Sequence, residues 1–425
     1  MASSTLSLGS SAYELLEVLD NSASDNATLR QRGTNADLLS TTRGASIDQV
    51  GIAPETGGAN VNVMGSSSQL LFAGSDVQAD GSTSGSGGVD NLRLFGTADQ
   101  ASVNTGAGDD NVAVFRDLTT STLESGTGSD NVRIGGKADN SDIRLGDGND
   151  NLVVGKASTN LDVVAGAGND TVSFAGKLKA GSSGNFVDLG TGDDQVTFAD
   201  GINDISPSDT STGRYRVGAG EGNDAITFGS NSDSERVDIL GEAGADTITL
   251  GKSLSDSTIN LGHDNDADSL VLGSGGSMTN VTVTSSSTGS TGDVLSFAGD
   301  VNYTASSTST LGSGNDAVSF TGNADFGGVA NWNLGTGADT LTMTGGGTFL
   351  DANISLGNDS AIDRVVFDNP ATSTYAGFLG DFVISDFGSN DVLVIGSTNY
   401  AWADIDTQSE VDAIFGSFNN VRFTS

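Results

Sequence analysis

Apolar and polar residues alternate in short runs along most of this chain, and the runs recur at a fixed distance. Four copies of the pattern Gly-x-Gly-x-Asp-x-Val/Leu begin at Gly106, Gly126, Gly146 and Gly166, 20 residues apart. The glycines permit a tight turn, and the apolar residue two places after the aspartate opens a strand with one inward face. Because a fixed period of about 20 to 50 residues is typical of stacked coils, the spacing predicts a parallel β-solenoid.

The aspartate of this pattern can be followed through most of the sequence. Successive aspartates are 20 residues apart at first and 22 to 30 apart later, as expected when some coils carry loops. A second apolar run, such as Ile143 to Leu145, precedes the glycines. We therefore expect an all-β fold, a two-sheet parallel β-roll of about 14 coils. The aspartates are Asp90, Asp110, Asp130, Asp150, Asp170, Asp194, Asp224, Asp246, Asp268, Asp293, Asp316, Asp339, Asp363 and Asp391.

The first 60 residues do not follow the repeat. Leu15, Leu16 and Leu19 stand behind a serine at the spacing of a short amphipathic helix. Residues 1–60 are therefore predicted to form a small helix-containing head that caps the first coil or docks onto a cell surface or virion component. The densest basic patch of the chain lies in this segment and consists of Arg30, Arg32 and Arg43.

The remaining segments follow from the same pattern. Residues 61–88 predict an irregular coil and a Gly/Ser-rich loop, and residues 89–363 predict the β-roll repeats. Residues 364–425 are rich in aromatic side chains and predict a cap, with a short helix at 409–415. Such a cap would cover the open strand edges of the last coil, which otherwise pair with other chains.

Composition narrows the class of protein. Of 425 residues, 61 are Gly, 3 are Pro and 6% are aromatic, which describes many turns and a narrow core of small side chains. One His and no Cys leave little for nucleophilic or thiolate catalysis, so we do not expect an enzyme. The sequence has no apolar run long enough to span a membrane and no signal-peptide pattern at its start.

Charge indicates the kind of partner. The net charge of −38 and a pI near 4.1 exclude nucleic acid and favour cations. Equivalent aspartates of successive coils would stand about 4.8 Å apart and repel each other by roughly 1 kcal/mol even in water. Ca²⁺ prefers six to eight oxygen ligands and would neutralise them. The alternative is that these side chains cap backbone N–H groups of the turns without any metal.

Gly-x-Gly-x-Asp-x-apolar resembles the calcium-binding nonapeptide of RTX, or haemolysin-type, repeats. The resemblance covers roughly residues 85–396 and implies a β-roll with Ca²⁺ between successive turns, outside the cell after type I secretion. It departs from the family in its coils of 20 or more residues and in having the motif on one turn per coil. Carried over to that turn, the resemblance implies these ligands: Asp110, Asp130, Asp150, Asp170, Asp194, Asp224, Asp316 and Asp339.

Together these features predict a non-enzymatic structural protein. We expect a calcium-stabilised β-solenoid that self-assembles into an extracellular surface layer or filament. The first alternative is a virion structural protein, on the capsid surface or in a tail fibre. The second is a calcium-dependent adhesin that binds through the inserted loops at 201–214 and 274–292.

Overall fold

The computed structural model shows a parallel β-solenoid. It describes residues 87–203, 213–285, 290–302, 308–322, 331–344, 352–367, 382–415 and 421–425, together with short strands outside these ranges. The chain divides into two compact units, unit 1 (residues 1–215) and unit 2 (residues 216–425). The all-β class and the parallel stacking of coils predicted from the sequence are confirmed.

Each regular coil contributes one strand to each of three parallel sheets. In the coil after Asp110, strand Asn111–Val114 lies in sheet I, Leu118–Thr119 in sheet III and Thr122–Thr127 in sheet II. The predicted two-sheet roll is therefore wrong in one respect. The segment expected to be a turn near a glycine holds a third, two-residue strand, which is too short to show an alternating pattern in the sequence.

The register of unit 1 repeats the 20-residue period of the sequence. Asn111 pairs with Asn131, and Asn131 with Asn151, so equivalent residues of successive coils lie side by side. Sheet I of unit 1 contains Leu15–Val18, Leu38–Thr41, Asn60–Val63, Asn91–Leu94, Asn111–Val114, Asn131–Ile134, Asn151–Val154, Thr171–Phe174 and Gln195–Phe198. Sheet II contains Ser4–Ser7, Asn26–Arg30, Gln49–Ala53, Leu70–Ala73, Ser102–Asn104, Thr122–Thr127, Ser141–Asp147, Leu161–Ala167 and Asn185–Thr191. Sheet III of unit 1 consists of a five-stranded part and a two-stranded part. The first contains Ser46–Ile47, Ser66–Ser68, Ala98–Asp99, Leu118–Thr119 and Ala138–Asp139, and the second contains Ser158–Thr159 and Leu178–Lys179.

The helix predicted behind Ser11 is wrong. Strand Leu15–Val18 occupies its place and pairs in parallel with Leu38–Thr41. An isolated helix of so few residues is marginal in water, whereas a strand gains a full ladder from its neighbour. The predicted limits of the head, roll and cap stay predictions, and the side chains of the basic patch Arg30, Arg32 and Arg43 lie outside the described residues.

The core of unit 1 runs between the sheets and is shared by neighbouring coils. In strand Asn111–Val114, Val112 and Val114 are buried, while the residues between them face outward. The register places Val112 beside Val132 and therefore builds continuous apolar columns. A second column starts at Val114 and continues to Phe174 and Phe198, whose rings stack with centroids 5.3 Å apart.

Unit 2 repeats the three-sheet arrangement with longer coils. Its sheet I contains Ala225–Phe228, Thr247–Leu250, Ser269–Leu272, Val294–Phe297, Ala317–Phe320, Thr340–Met343, Arg364–Phe367 and Val392–Ile395, followed by the antiparallel strand Thr398–Ala401. Sheet II contains Tyr215–Glu221, Val237–Ala243, Thr258–Asn260, Thr282–Thr284, Thr308–Thr310, Asn331–Asn333, Asn353–Ser355, Phe382–Ser385 and Val421–Phe423. The sheet III strands are Ser234–Glu235, Leu254–Ser255, Ser277–Thr279, Asp300–Asn302, Ala324–Asp325, Phe349–Leu350 and Phe378–Leu379.

The end of unit 2 holds a helical segment and an aromatic cluster. A 3₁₀ turn spans Trp402–Asp404, and the predicted C-terminal helix is confirmed as α1, Gln408–Phe415. Phe415 packs edge-on against Phe367, with centroids 5.3 Å apart, so the helix lies against the end of sheet I. Among the described residues, no helix is long and apolar enough to cross a membrane.

The phenylalanine stack provides a test of the shared core. We expect Phe198→Ala to destabilise the protein by about 3 to 5 kcal/mol, because Phe198 is fully buried and its truncation leaves a cavity beside Phe174. Urea unfolding followed by circular dichroism measures the change. The control is Ile362→Ala, whose side chain is 55% exposed and should leave the midpoint nearly unchanged. Equal shifts for both variants would contradict this description of the core.

Candidate metal centre

The two glycines of the repeat shape the turn that carries each aspartate. Gly146 and Gly148 adopt φ values of +115° and +139°, a region that side chains disfavour. Successive turns are stacked so closely that a Cβ on Gly148 would lie 1.8 Å from the carbonyl oxygen of Gly128. Each turn is tied to the next by a backbone hydrogen bond, from Gly148 N to the carbonyl of Ala167 at 2.6 Å. Only glycine fits there, which explains why the motif keeps both positions.

The aspartates form a buried ladder along each unit. The backbone N–H of Asp110 donates to Oδ1 of Asp130 at 2.8 Å, and that of Asp130 donates to Oδ1 of Asp150 at 2.7 Å. The same contact recurs in unit 2, where Asp316 N donates to Oδ1 of Asp339 at 2.8 Å. The capping interpretation is therefore correct for one oxygen of these carboxylates. Further rungs link Asp90 to Asp110, Asp150 to Asp170, Asp170 to Asp194, Asp224 to Asp246, Asp246 to Asp268, Asp268 to Asp293, Asp293 to Asp316, Asp339 to Asp363 and Asp363 to Asp391.

The structure thus places all eight predicted ligands in this ladder, five in unit 1 and three in unit 2. Each is nearly inaccessible to solvent. Six further aspartates share the arrangement although they were not predicted as ligands, and the Asp-x-apolar step identifies them too. They are Asp90, Asp246, Asp268, Asp293, Asp363 and Asp391.

The second oxygen of the carboxylates is the unusual feature of the ladder. Oδ2 of several aspartates is buried and accepts no hydrogen bond from the described residues. A buried polar atom without a partner is costly, and a buried charge more so. These oxygens therefore require a proton or a cation. They belong to Asp150, Asp170, Asp246, Asp316 and Asp339.

The pKa values of the ladder aspartates also indicate that their carboxylates require a proton or a cation. Burial raises the pKa of Asp150 from 3.8 to about 6 and that of Asp170 to about 7, although the backbone hydrogen bond to each opposes the shift. In unit 2, burial and the neighbouring aspartates raise the pKa of Asp246 and of Asp339 to about 8. At neutral pH the carboxyls with these raised pKa values therefore hold protons for much of the time, and a bound metal ion is the usual alternative to protonation in such a column.

The oxygen atoms available at the ladder suit Ca²⁺ better than they suit a metal that needs several converging side chains as ligands. No group of three or more His, Cys, Asp or Glu side chains converges on one point in the part of the chain that the structure describes. The ladder instead offers carboxylate oxygens from successive coils, next to turns whose glycine carbonyls stack at close range. Carboxylate and carbonyl oxygens in flexible geometry are what Ca²⁺ accepts, whereas Mg²⁺ demands a near-ideal octahedron.

A second column of Asp and Asn residues caps the turns in the opposite direction. Asn169 N donates to Oδ1 of Asn149 at 2.7 Å, and Ser129 N donates to Oδ1 of Asp109 at 2.9 Å. These side chains reach the following coil, whereas the ladder carboxylates reach the preceding one. This column is exposed and serves turn geometry.

Two turns of unit 2 are built differently, and sequence reasoning did not foresee this. Oδ2 of Asp264 accepts the N–H of Gly244 at 2.5 Å. Asp359 accepts the N–H of Gly337 in the same way at 2.7 Å. In both turns a carboxylate replaces the backbone carbonyl of the regular turn. The signal was present as the shared pattern Leu-Gly-x-Asp at 261–264 and 356–359.

Comparison with known proteins adds a structural likeness. No protein-family model and no curated protein matches the sequence. Among solved structures, the chain is similar to the X-ray crystal structure of a hyperactive, Ca²⁺-dependent, β-helical antifreeze protein from an Antarctic bacterium, with 20% identity and a TM-score of 0.48. The match covers 84% of this chain and 92% of that one. The parallel β-solenoid described above is the fold that the resemblance to RTX repeats implies.

Close stacking of the turns predicts the effect of adding one methyl group. We expect Gly148→Ala to shift the urea midpoint strongly downward, because its Cβ would clash with the Gly128 carbonyl at a positive φ. Gly275→Ala is the matched control, since a Cβ there meets nothing within 4 Å. A Gly148→Ala protein as stable as Gly275→Ala would exclude the turn geometry described above.

The raised pKa values predict how stability depends on pH without metal. A carboxyl with a raised folded pKa binds more protons when folded, so its stabilising contribution is complete below pH 3.8 and is lost as pH rises through about 6 to 8. With a chelator present, we expect the urea midpoint to fall between pH 4 and pH 8. With excess Ca²⁺ the fall should disappear. A midpoint that rises with pH in chelator would show that the ladder is not buried in this way.

Proposed function

We propose that this chain is a structural, non-enzymatic β-solenoid that Ca²⁺ stabilises and that self-assembles into an extracellular surface layer or filament. The row of buried, unpartnered Oδ2 atoms supports this proposal most directly. In a chain of net charge −38, such a column is a charge deficit that only protons or cations can offset. Calcium supplies that positive charge when bound, and the protein supplies the stacked oxygen ligands.

The proposed ligands are the eight aspartates implied by the RTX resemblance. In unit 1, Oδ1 of Asp150 is occupied by the N–H of Asp130, which leaves Oδ2 available to a cation. The same division holds for Asp170 and for Asp339. Each ion would thus join two coils, and the sites together would fasten the solenoid along its length. The proposed set is Asp110, Asp130, Asp150, Asp170, Asp194, Asp224, Asp316 and Asp339.

Location and assembly follow from the same chemistry. Calcium sites in extracellular modules are weak, with dissociation constants of about 10⁻⁴ to 10⁻³ M, and are filled only where free calcium is abundant. We therefore propose that the protein folds fully outside the cell and that calcium, by reducing repulsion between acidic copies, promotes assembly. The virion and adhesin alternatives use the same fold. Residues 204–212 and 286–289 of the proposed adhesin loops lie outside the described residues.

A calcium titration tests the proposal. Protein treated with a chelator should gain β signal in circular dichroism when Ca²⁺ is added, and light scattering should then report growth of large particles. Mg²⁺ at the same concentration should do neither. A fold that is unchanged by chelator would reject calcium stabilisation. Folding without particle growth would reject self-assembly while leaving the calcium sites in place.

Substitution by asparagine separates metal binding from capping. Asn at positions 150 and 170 keeps an oxygen that can accept the backbone N–H, but it removes the charge that a cation needs. We expect the double variant Asp150→Asn with Asp170→Asn to need about tenfold more Ca²⁺ than the wild type for the same gain in stability. Lys156→Ala with Lys177→Ala is the control pair. If the asparagine variant responds to calcium as the wild type does, the ladder only caps backbone.

A further inference from the structure

The outer face of sheet I in unit 1 is cationic, although the chain as a whole has a net charge of −38. The six strands of this sheet that lie between residues 91 and 198 contain no Asp or Glu. Arg93 and Arg133 are exposed in one row of the face, with Ala113 of the intervening coil between them. Because neighbouring strands are about 4.8 Å apart, the backbones of the two arginines lie about 10 Å apart.

Neither arginine has the kind of ion pair that two other exposed arginines form. In sheet II of unit 1, Arg144 lies 3.9 Å from Glu124, and in unit 2 Arg216 lies 2.6 Å from Glu242. The two arginines of the sheet I face form no ion pair with any residue that the structure describes. Their charges are therefore available to another molecule.

The outer face of sheet II in unit 1 has the opposite charge. Four carboxylates project from it beside one cation, Arg144. Asp142 and Asp188 form no ion pair with a described residue, and they lie two coils apart in adjacent rows. The backbones of these two aspartates are therefore about 12 Å apart. The four carboxylates belong to Glu124, Asp142, Asp162 and Asp188.

These two faces lie on opposite sides of unit 1, because sheets I and II pack against each other through the shared core. A contact between sheet I of one copy and sheet II of another would therefore use two different surfaces. Each copy would keep one free face of each kind after the contact forms. Such a heterologous contact continues as an open filament when it does not close into a ring.

We propose that copies of this chain stack through these two faces, with Arg93 and Arg133 of one copy paired to Asp142 and Asp188 of the next. The inference rests on the proposed self-assembly and identifies the surfaces that carry it. Repulsion between distant charges of two acidic copies is screened beyond about 8 Å at physiological ionic strength, so the charges at the contact decide which faces meet.

The spacing of the charges also brings apolar side chains together. Arg93 and Arg133 lie on either side of the coil that carries Phe115, and the two aspartates lie on either side of the coil that carries Val164. Pairing of the charges thus places these two middle coils over each other. Phe115 is 51% exposed in the single copy, and the contact would cover its ring.

Charge reversal on one face tests the proposal. At a Ca²⁺ concentration where the wild type forms particles, Arg93→Glu with Arg133→Glu should raise the protein concentration needed for light scattering roughly tenfold or more. Circular dichroism should show the same fold, since both side chains are exposed. The control Lys179→Glu with Lys252→Glu changes the net charge equally and lies outside both faces, so it should assemble as the wild type does. Arg93→Gln with Arg133→Gln, which should also weaken assembly, replaces the reversal if that variant does not fold.

Mixing two variants tests the pairing itself. Asp142→Lys with Asp188→Lys should also fail to form particles alone, but an equal mixture with the Arg93→Glu, Arg133→Glu protein should restore them, because each reversed face then meets a complementary one. Assembly of the arginine variants at the wild-type concentration, or a mixture that stays without particles, would overturn this inference and leave self-assembly standing. A wild type that folds with Ca²⁺ but never forms particles would reject self-assembly and this inference together.

Discussion

The whole structure depends on the contact between a backbone N–H and the carboxylate of the equivalent aspartate one coil further on. The contact recurs at 2.6 to 2.8 Å from Asp90 to Asp194 in unit 1 and reappears throughout unit 2. It holds successive turns at strand spacing, and it does so inside the protein, where the carboxylates are almost completely buried. Burial makes each hydrogen bond strong, and it also makes the second oxygen of each carboxylate costly.

This cost links the fold to the proposed function. A solenoid held by hydrogen bonds alone would be served as well by asparagine, which can also accept the N–H but carries no charge. The chain uses asparagine freely in the exposed second column, for example at Asn149 and Asn169, and aspartate at every described position of the buried ladder. The choice of the charged residue in the less favourable environment is what a cation site requires.

The same repeat also orders side chains on the surface of unit 1, outside the buried ladder. There the coil repeat is used to align side chains on the surface, with Phe95 and Phe115 in one column and Arg116 and Lys156 in the next. Since every column of a solenoid repeats at strand spacing, residues that recur at the coil period in the sequence become neighbouring side chains in one row on the surface. The interior columns stabilise the coils, and the exterior columns repeat equivalent side chains along the surface at strand spacing.

The repeat alone determined the class of fold, the register of the coils and the membership of the ladder, because a 20-residue period with one aspartate per coil leaves little freedom in how equivalent residues stack. Outside the repeat, the sequence also predicted the short helix that the structure shows at Gln408–Phe415. Only the tertiary structure decided that residues near Leu15 form a strand, since pairing with a neighbouring coil outweighs a short helical pattern. It also decided that each coil has a third strand, too brief to leave a period in the sequence. Finally, it showed that one carboxylate oxygen caps the backbone while the other is left without a partner, a division that no pattern of residues reveals because it depends on which coil each oxygen faces.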